Sequence, residues 1–397
     1  MNRQEVAVSR TPLRIALFTG NFNYTRDGAA QALGRLVEHL RAVEGAEVRI
    51  YSPTSPEVEA QAHAGLVSVP SVTLPGRPEY RLALGLTGDV RRDVTDFDPD
   101  IVHLSTPDIL GMQAQQFARQ HGAPVVASLH TRFETYLAYY GLGWLEPVVD
   151  HMLRRFYDRS DYVLAPSAPV AQSLAADGLE PTRIRIWSRG VDRDLFDPAR
   201  RDLAWRAAQG FADDDIVVLF FGRLVMEKGL APFSDIVDRL CARCKDVRVL
   251  IVGDGPARPW LAERLPQAVF TGFLAGKALA RAVASADILL NPSATEAFGN
   301  VNLEAMASGL PVVTADLPSG RALVADGVNG LLCAPLDPDS YVDALVRLVT
   351  EPALRAALGA AARQASAAFS WSAALSSVVD VYREALSKAG ARQRTAA

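Results

Sequence analysis

The sequence alternates short apolar runs with helical patterns, and this alternation is the strongest constraint on its fold. In the first half of the chain, apolar runs occupy residues 13–20, 47–53, 101–107, 124–130, 162–167 and 183–190. Helical stretches such as 29–43 lie between them. Near-continuous apolar runs predict strands that are buried on both faces, as in a parallel sheet. Their alternation with helices predicts a doubly wound α/β domain.

The alternation stops after Asp192 and then starts again. The segment that follows contains proline, many charges and no strand pattern, which indicates an interdomain connection. New apolar runs occupy residues 216–224, 247–255, 268–274, 286–293, 310–316 and 329–335. Because 397 residues exceed one ordinary core, we predict two Rossmann-like domains, 1–195 and 196–372, around a shared cleft. The amphipathic tail predicts a C-terminal helix within 373–397 that packs back on the first domain.

Composition excludes several other classes of protein. The formal net charge of −4 disfavours a general nucleic-acid binder. Three cysteines cannot build a disulfide framework, and the pair Cys241 and Cys244 leaves only Cys333 to complete a zinc site. We therefore expect no metal and a reducing, cytoplasmic location. No apolar run is long enough to span a bilayer and the first residues lack a signal peptide pattern, so any membrane contact would be peripheral.

The segment NPSATEAFGNVNLEAMASGLPVV, residues 291–313, carries the strongest chemical signal. A strand is expected to end near its start, and a helix to open near Gly299, where a backbone without Cβ can approach a ligand closely. The free N–H groups of a helix start suit a diphosphate. Glu296 and Glu304 are suited to accept hydrogen bonds from sugar or ribose hydroxyls. The alternative is a solvated loop acid and a charge on the helix surface.

Two further segments follow strands of the second domain. In FFGRLVMEKGL, Arg223 and Lys228 stand after a strand end, where two cations would clamp a diphosphate; otherwise they are solvated loop cations. IVGDGP places Gly253 in a strand-end turn. This turn lacks the G-x-G-x-x-G fingerprint, which disfavours a nicotinamide enzyme.

In this order, GR-x-x-x-EKG, GDGP, FTGFL and EAFGNVNLEAMASGLPVV resemble the second domain of glycosyltransferase family 4, the retaining family with the GT-B fold. The resemblance implies that Arg223 and Lys228 hold the donor diphosphate. It also implies that Glu304 contacts the nucleotide ribose and Glu296 the transferred sugar. The remaining implied donor contacts, to sugar, phosphate and base, come from Ala297, Phe298, Gly299, Asn300 and Phe273.

The first domain extends the resemblance. FTGNFNYTRDGAAQALGRL places Gly28 at a helix start beside the donor phosphate, although the family's second glycine is Ala29 here. SLHTRFETY places His130 at a strand end, where the family has a histidine near the donor sugar. WSRGVDRDLF resembles the family's RGVD turn and makes Arg189 a cleft-lining candidate, together with Asp27 and Gly253.

The resemblance implies transfer from a UDP- or GDP-linked sugar, with retention at the anomeric carbon and without a metal or other cofactor. His130 and Glu296 are the predicted catalytic residues. Residues 130–167 are similar to bacterial lipid-directed members, which implies a membrane-lipid acceptor and an anionic membrane surface as partner. Segments 76–92 and 130–167 mix apolar residues with arginine, and a core helix with a solvated arginine face is the alternative. The competing functions are transfer to a polysaccharide or small-molecule acceptor, epimerisation, phosphorolysis and non-enzymatic binding.

Overall fold

The computed structural model describes residues 12–20, 22, 28–54, 64–74, 77–130, 141 and 143–396. The strands of the first domain are β1 (Arg14–Phe18), β2 (Glu47–Ser52), β3 (Leu66–Ser68), β4 (Ser71–Leu74), β5 (Arg77–Ala83), β6 (Ile101–Leu104), β7 (Val125–Ser128), β8 (Tyr162–Ala165) and β9 (Ile184–Ile186). Seven of them form a parallel sheet in the order β3-β2-β1-β6-β7-β8-β9, and β4 and β5 form a separate antiparallel pair. In β1, Ile15 and Leu17 belong to one core cluster and Ala16 and Phe18 to another, so both faces of the sheet are buried.

Helices cover both faces of this sheet. Those of the first domain are α1 (Gly28–Ala42), α2 (Gly88–Phe97), α3 (Ile109–His121), α4 (Glu146–Asp158) and α5 (Ala168–Ala176), with 3-10 turns at Gly143–Leu145 and Pro181–Arg183. Side chains of α2, α3, α4 and α5 pack in one core cluster. The buried face of α1 packs in the other. This is the doubly wound arrangement that the alternating sequence predicts.

The second domain repeats the same architecture with six parallel strands. They are β10 (Ile216–Phe221), β11 (Val247–Val252), β12 (Val269–Gly272), β13 (Ile288–Asn291), β14 (Val312–Ala315) and β15 (Leu331–Cys333), in the order β12-β11-β10-β13-β14-β15. Its helices are α6 (Leu203–Ala208), α7 (Leu230–Arg243), α8 (Arg258–Arg264), α9 (Gly276–Ala284), α10 (Asn300–Ala307), α11 (Pro318–Arg321), α12 (Pro338–Thr350) and α13 (Pro352–Ala365), with 3-10 turns at Pro198–Arg200, Met226–Lys228 and Ser366–Ala368.

Each sheet has one place where the chain leaves neighbouring strands in opposite directions. In the first sheet it lies between β1 and β6, and in the second between β10 and β13. Ligands of open α/β sheets bind outside the carboxyl ends of the strands at such a switch point. The segments that carry Arg223, Lys228 and Glu296 follow β10 and β13 and therefore lie at the switch point of the second sheet.

The chain crosses between the domains twice, along adjacent paths. Val191 N–H donates to the Phe369 carbonyl at 3.1 Å, which joins the two crossings. A Cβ on Gly190 would overlap the backbone of Trp371, so the crossings are tightly packed. The last helix, α14 (Trp371–Ala396), then packs in the first-domain core cluster that contains α1. None of the helices in the described part of the chain combines the length and apolar character that crossing a bilayer requires.

One interpretation of the sequence needs correction. The core-helix alternative for 76–92 is wrong for Arg77–Ala83, which is strand β5; helix α2 begins only at Gly88. Val72 and Leu82 are paired across the hairpin and both are about half exposed. The apolar side chains therefore do not reveal which face is buried, and alternation gave no usable strand signal here.

Candidate active site

Two loops of the second domain are held together at the switch point between β10 and β13. The Thr295 hydroxyl donates to the Glu227 carbonyl at 2.7 Å. Gly229 has a φ of 76°, and a Cβ there would lie 3.0 Å from the Ser293 backbone. Gly229 is therefore required both for its left-handed conformation and for the close approach of the two loops. This contact fixes Lys228 beside the loop that carries Glu296.

Lys228 and Glu296 form an ion pair across these loops. Lys228 Nζ donates to Glu296 Oε1 at 2.8 Å, and the two side chains are 29% and 15% exposed. The pair is charge-assisted and partly shielded from water. It cancels the negative charge of Glu296 where an anion would otherwise be repelled. The arrangement is therefore chemically suited to a phosphate at Lys228 and to a hydroxyl donor at Glu296.

Two helix starts, one from each domain, face each other across the cleft. Gly299, with a φ of 89°, precedes α10, and its left-handed backbone admits glycine readily. Gly28 opens α1, and a Cβ there would overlap the side-chain amide of Asn300. The first N–H groups of both helices lack intrahelical acceptors and carry partial positive charge. The cleft between them is therefore suited to an anion.

A buried set of polar side chains anchors α10 to the strands beneath it. Asn291 donates to Asn302 Oδ1 at 2.8 Å, and Asn302 is 3.3 Å from the Thr314 hydroxyl, which donates to the Asn291 carbonyl at 3.0 Å. These three residues join β13, α10 and β14. They were not predicted from the sequence, although buried amide side chains at a strand end and in the following helix are a signal for such an anchor.

Glu304 is an acid within α10. Among the described residues, no hydrogen bond or ion pair reaches its carboxylate, and burial raises the pKa of Glu304 to about 8. An acid that is shielded from water and has no hydrogen-bond partner destabilises the folded state. The two hydroxyls of a ribose would supply the missing donors.

Arg223 and Gly253 border the same strand end. Arg223 Nη2 lies 3.8 Å from Glu227 Oε1. The preceding residue, Gly222, borders the first turn of α10, since a Cβ there would be 4.0 Å from Val301 Cγ1. A Cβ on Gly253 would overlap the Gly222 carbonyl, so this glycine accommodates backbone rather than a ligand.

Three other predicted donor residues occupy different surroundings. Phe273 follows β12 with 51% of its surface exposed. Ala297 is buried and packs in a core cluster of the first domain, so the loop before α10 bridges the cleft. Phe298 is buried against Phe369, with ring centroids 6.0 Å apart. Asp27 lies outside the described residues.

His130 lies at the first-domain wall of the cleft, with both ring nitrogens bonded to other residues. Arg189 donates to its Nδ1 at 2.8 Å, and its Nε2 lies 2.8 Å from the Ser128 hydroxyl. The pKa of His130 lies well below its usual 6.5, because of burial first and then the Arg189 charge. Its ring is therefore neutral near pH 7.

Arg189 lies behind His130 rather than on an open wall. It is buried, donates to the Trp187 carbonyl at 3.0 Å and stacks over the Trp187 ring at 4.9 Å. Burial lowers the pKa of Arg189 to about 10, so it remains charged. Among the described residues no carboxylate pairs with it, so its charge adds to the positive potential of the cleft.

Comparison with known proteins decides the family. A model described as "Glycosyltransferase Family 4" matches residues 26–195, and one described as "Glycosyl transferases group 1" matches 215–351. A GDP-mannose-dependent alpha-mannosyltransferase of Mycolicibacterium smegmatis is 35% identical over 96% of this chain and 100% of its own length. This chain is a family 4 glycosyltransferase. The transferase class predicted from the sequence is confirmed.

A second relative agrees with this assignment, and two solved structures share the fold. The sulfoquinovosyl transferase SQD2 of Arabidopsis thaliana is 31% identical over 92% of this chain and 72% of its own length. Sucrose-phosphate synthase of Thermosynechococcus elongatus superposes with a TM-score of 0.76 at 19% identity, over 95% of this chain and 100% of that one. HepE of Anabaena, solved with UDP and glucose, gives 0.73 at 20% identity, over 94% and 100%. These structures share the GT-B fold, as predicted.

Proposed function

We propose that this glycosyltransferase moves a hexose or hexuronic acid from a nucleoside diphosphate sugar to a hydroxyl of a membrane lipid, with retention at the anomeric carbon. The observation that carries the proposal is the arrangement at the carboxyl ends of the strands, where Glu296 of the loop before α10 pairs with Lys228 and the start of α10 packs against the start of α1. We place a GDP-linked sugar first, because the relative with 35% identity over its full length is named as GDP-mannose-dependent. UDP-linked sugars are the second choice.

The reaction needs a group that stabilises the departing diphosphate. In transfer, the bond between the anomeric carbon and the diphosphate oxygen breaks, and a bond from that carbon to the acceptor oxygen forms. The acceptor proton passes to the departing phosphate, which lies on the same face of the sugar. Lys228, Arg223 and the N–H groups of the helix starts stabilise the negative charge that develops. This clamp takes the role that a metal has in other transferases.

Glu296 and His130 then position the sugar. Glu296 keeps one carboxylate oxygen for sugar hydroxyls while the other is held by Lys228. Both ring nitrogens of His130 are engaged by Arg189 and Ser128, so the ring is held in one orientation and is not a proton carrier. The two residues thus flank the sugar from opposite domains.

An exposed apolar strip on the first domain supports a lipid acceptor. Trp144, Val148 and Met152 are 73%, 57% and 45% exposed and are spaced by four residues, which places them along one face of α4 and the turn before it. Arg155 and Arg159 are exposed on the same face. An apolar strip beside two cations suits the interface of an anionic membrane. One relative, from Streptococcus pneumoniae, is named alpha-monoglucosyldiacylglycerol synthase, and SQD2 is named a sulfoquinovosyl transferase.

Release of nucleoside diphosphate tests the proposed reaction. The protein is mixed with GDP-mannose, UDP-glucose or UDP-glucuronic acid and with vesicles containing diacylglycerol or phosphatidylinositol. We expect GDP release that requires a lipid acceptor, and no release by Glu296→Gln. The anomeric configuration of the product is read by NMR. Release that a soluble polysaccharide supports equally well would refute the lipid acceptor, and an inverted product would refute retention.

Flotation of vesicles tests the docking surface. Trp144→Ser combined with Met152→Ser should abolish binding to phosphatidylglycerol vesicles, because it removes the most exposed apolar side chain of the strip. Leu336→Ser is the matched control, since Leu336 is 94% exposed on the second domain. Equal binding by all three proteins would exclude docking through α4.

A further inference from the structure

A continuous set of hydrogen bonds runs from the last helix of the chain to the cleft. The Tyr382 hydroxyl of α14 is bonded to His103 Nδ1, and His103 Nε2 lies 2.9 Å from the Ser128 hydroxyl. That hydroxyl lies 2.8 Å from His130 Nε2, and Arg189 donates to His130 Nδ1. We call Tyr382, His103, Ser128 and His130 the histidine network. It joins residues that are up to 279 positions apart in sequence.

The proton positions follow from what each group can do. Arginine only donates, so His130 Nδ1 must accept from Arg189. A neutral imidazole has one N–H, so His130 carries its proton on Nε2 and donates to Ser128. The Ser128 hydroxyl must therefore accept this bond and send its own proton elsewhere.

Two directions remain for the rest of the network. If Ser128 donated to His103 Nε2, then His103 Nδ1 would donate to Tyr382, and the tyrosine proton would have no acceptor among the described residues. If Tyr382 donates to His103 Nδ1, His103 Nε2 donates to Ser128, and Ser128 can donate to the Leu104 carbonyl at 3.5 Å. Only the second arrangement gives every donor an acceptor. The hydroxyl proton of Tyr382 therefore determines which atom donates in each of the following hydrogen bonds.

The histidine network lies inside the first domain, and His130 is its member that reaches the cleft. His103 and Tyr382 have no exposed surface and Ser128 is 2% exposed, whereas His130 is half-buried at the cleft. The Trp187 ring packs edge-on against both histidines, at centroid distances of 5.8 and 5.1 Å. Burial lowers the pKa of His103 to about 3, so this residue remains neutral near pH 7. Buried, fully bonded networks of this kind fix side-chain orientation.

We propose that Tyr382 is a positioning residue for sugar transfer: through His103 and Ser128 it locks the orientation of His130, so the C-terminal helix takes part in forming the active site. The proposal rests on the proposed function only for its kinetic test. His130 contacts the cleft, and the three residues behind it act through it. Loss of any link lets the His130 ring move relative to the sugar.

Nitrogen NMR of the histidine rings tests the network without any substrate. The chain has six histidines, and labelled rings report which nitrogen carries the proton. We expect His103 and His130 to be neutral, with protons on Nε2, from pH 5.5 to 8. Tyr382→Phe, which keeps the aromatic ring, should alter the His103 signals and perturb His130. Tyr341→Phe is the matched control, because the Tyr341 hydroxyl is buried in the other domain without a partner among the described residues. A His103 proton on Nδ1, or titration near pH 6.5, would overturn the proposal.

Kinetics of nucleoside diphosphate release, measured with the donor sugar and acceptor-lipid vesicles, tests the functional part. We expect Tyr382→Phe to lower kcat at least about tenfold while the donor KM stays within about twofold. In a Ser128→Ala background the same change should have no further effect, because the link is already broken. Additive effects of the two changes, or an unchanged kcat in Tyr382→Phe, would refute the network. If Tyr382→Phe does not fold, Ser128→Thr and Ser128→Ala are compared instead. A kcat that is restored in Ser128→Thr, which keeps the hydroxyl, supports the proposal, and an equal loss of kcat in both variants overturns it. A wild-type protein without turnover would refute the proposed function alone, since the NMR result is independent.

Discussion

The carboxyl of Glu304, which has no partner among the described residues, predicts that the candidate donor site weakens the fold of the empty protein. Burial raises the pKa of Glu304 from its ordinary 4.5 to about 8. The folded state therefore prefers the protonated acid, and its stability falls as the pH rises from 4.5 to 8. Each pH unit in that window costs about 1.4 kcal/mol. At pH 7 the loss is about 3 kcal/mol, a large part of the stability of an ordinary domain.

Glu304→Gln removes this loss, because an amide stays neutral throughout. We expect the variant to gain stability over the wild type, with the difference widening by about 2.5 kcal/mol between pH 5 and pH 7. The same variant should bind nucleoside diphosphate at least about tenfold more weakly if Glu304 contacts the ribose as we propose, because the amide replaces a carboxyl acceptor for the ribose hydroxyls.

Urea unfolding of both proteins without nucleotide, at pH 5, 6, 7 and 8, measures the difference directly. Calorimetric titration with GDP and UDP measures the affinity. Glu263→Gln serves as control, because Glu263 is exposed on α8 and should leave the pH dependence unchanged. Parallel stability curves for wild type and Glu304→Gln would refute the reasoning.

Three further predictions concern the cleft. Glu296→Ala should abolish transfer but leave the affinity for nucleoside diphosphate within about threefold, because Lys228 remains and gains freedom to meet phosphate; loss of affinity measured by titration would contradict this. Lys228→Met should weaken binding of the diphosphate but not of the nucleoside, and equal weakening of both would exclude a phosphate contact. Gly28→Ala should reduce transfer, since the new Cβ overlaps the Asn300 amide, and Asn300→Ala should restore part of the rate. Failure of this rescue would show that the glycine serves another contact.

Much of the fold follows from local sequence, because strands buried on both faces leave continuous apolar runs. The runs that predicted the two sheets contain strands of the structure at 14–18, 47–52 and 101–104 in the first domain and at equivalent positions in the second. The short β3 and the hairpin of β4 and β5 were not predicted. The hairpin exposes apolar residues such as Val72 and Leu82, so no alternation distinguishes a buried face.

The location of three predicted site residues could be predicted from the sequence for a related reason. Arg223, Lys228 and Glu296 lie in loops that directly follow strands, and parallel strands bring those loops to one edge. The roles assigned to individual site residues remain predictions. The pairing of Lys228 with Glu296 was not foreseen, because 68 positions separate them.

The histidine network could not be found from sequence. His103 stands in the middle of an apolar strand, and its partners Ser128 and Tyr382 are 25 and 279 positions away. Single polar residues in apolar segments carry no information about which distant group satisfies them. Only the packing of α14 against the first sheet brings Tyr382 to His103.

The return of α14 to the first domain has a consequence for how the protein is made. One face of the first sheet is covered by α1 together with α14, which supplies buried residues from Ala374 to Ala385. During synthesis the part of this face beneath α14 stays uncovered until α14 has left the ribosome, by which time every strand of the second domain is already available. The first domain is therefore completed after the second, and a nascent chain stalled before Trp371 presents the apolar surface beneath α14 to chaperones.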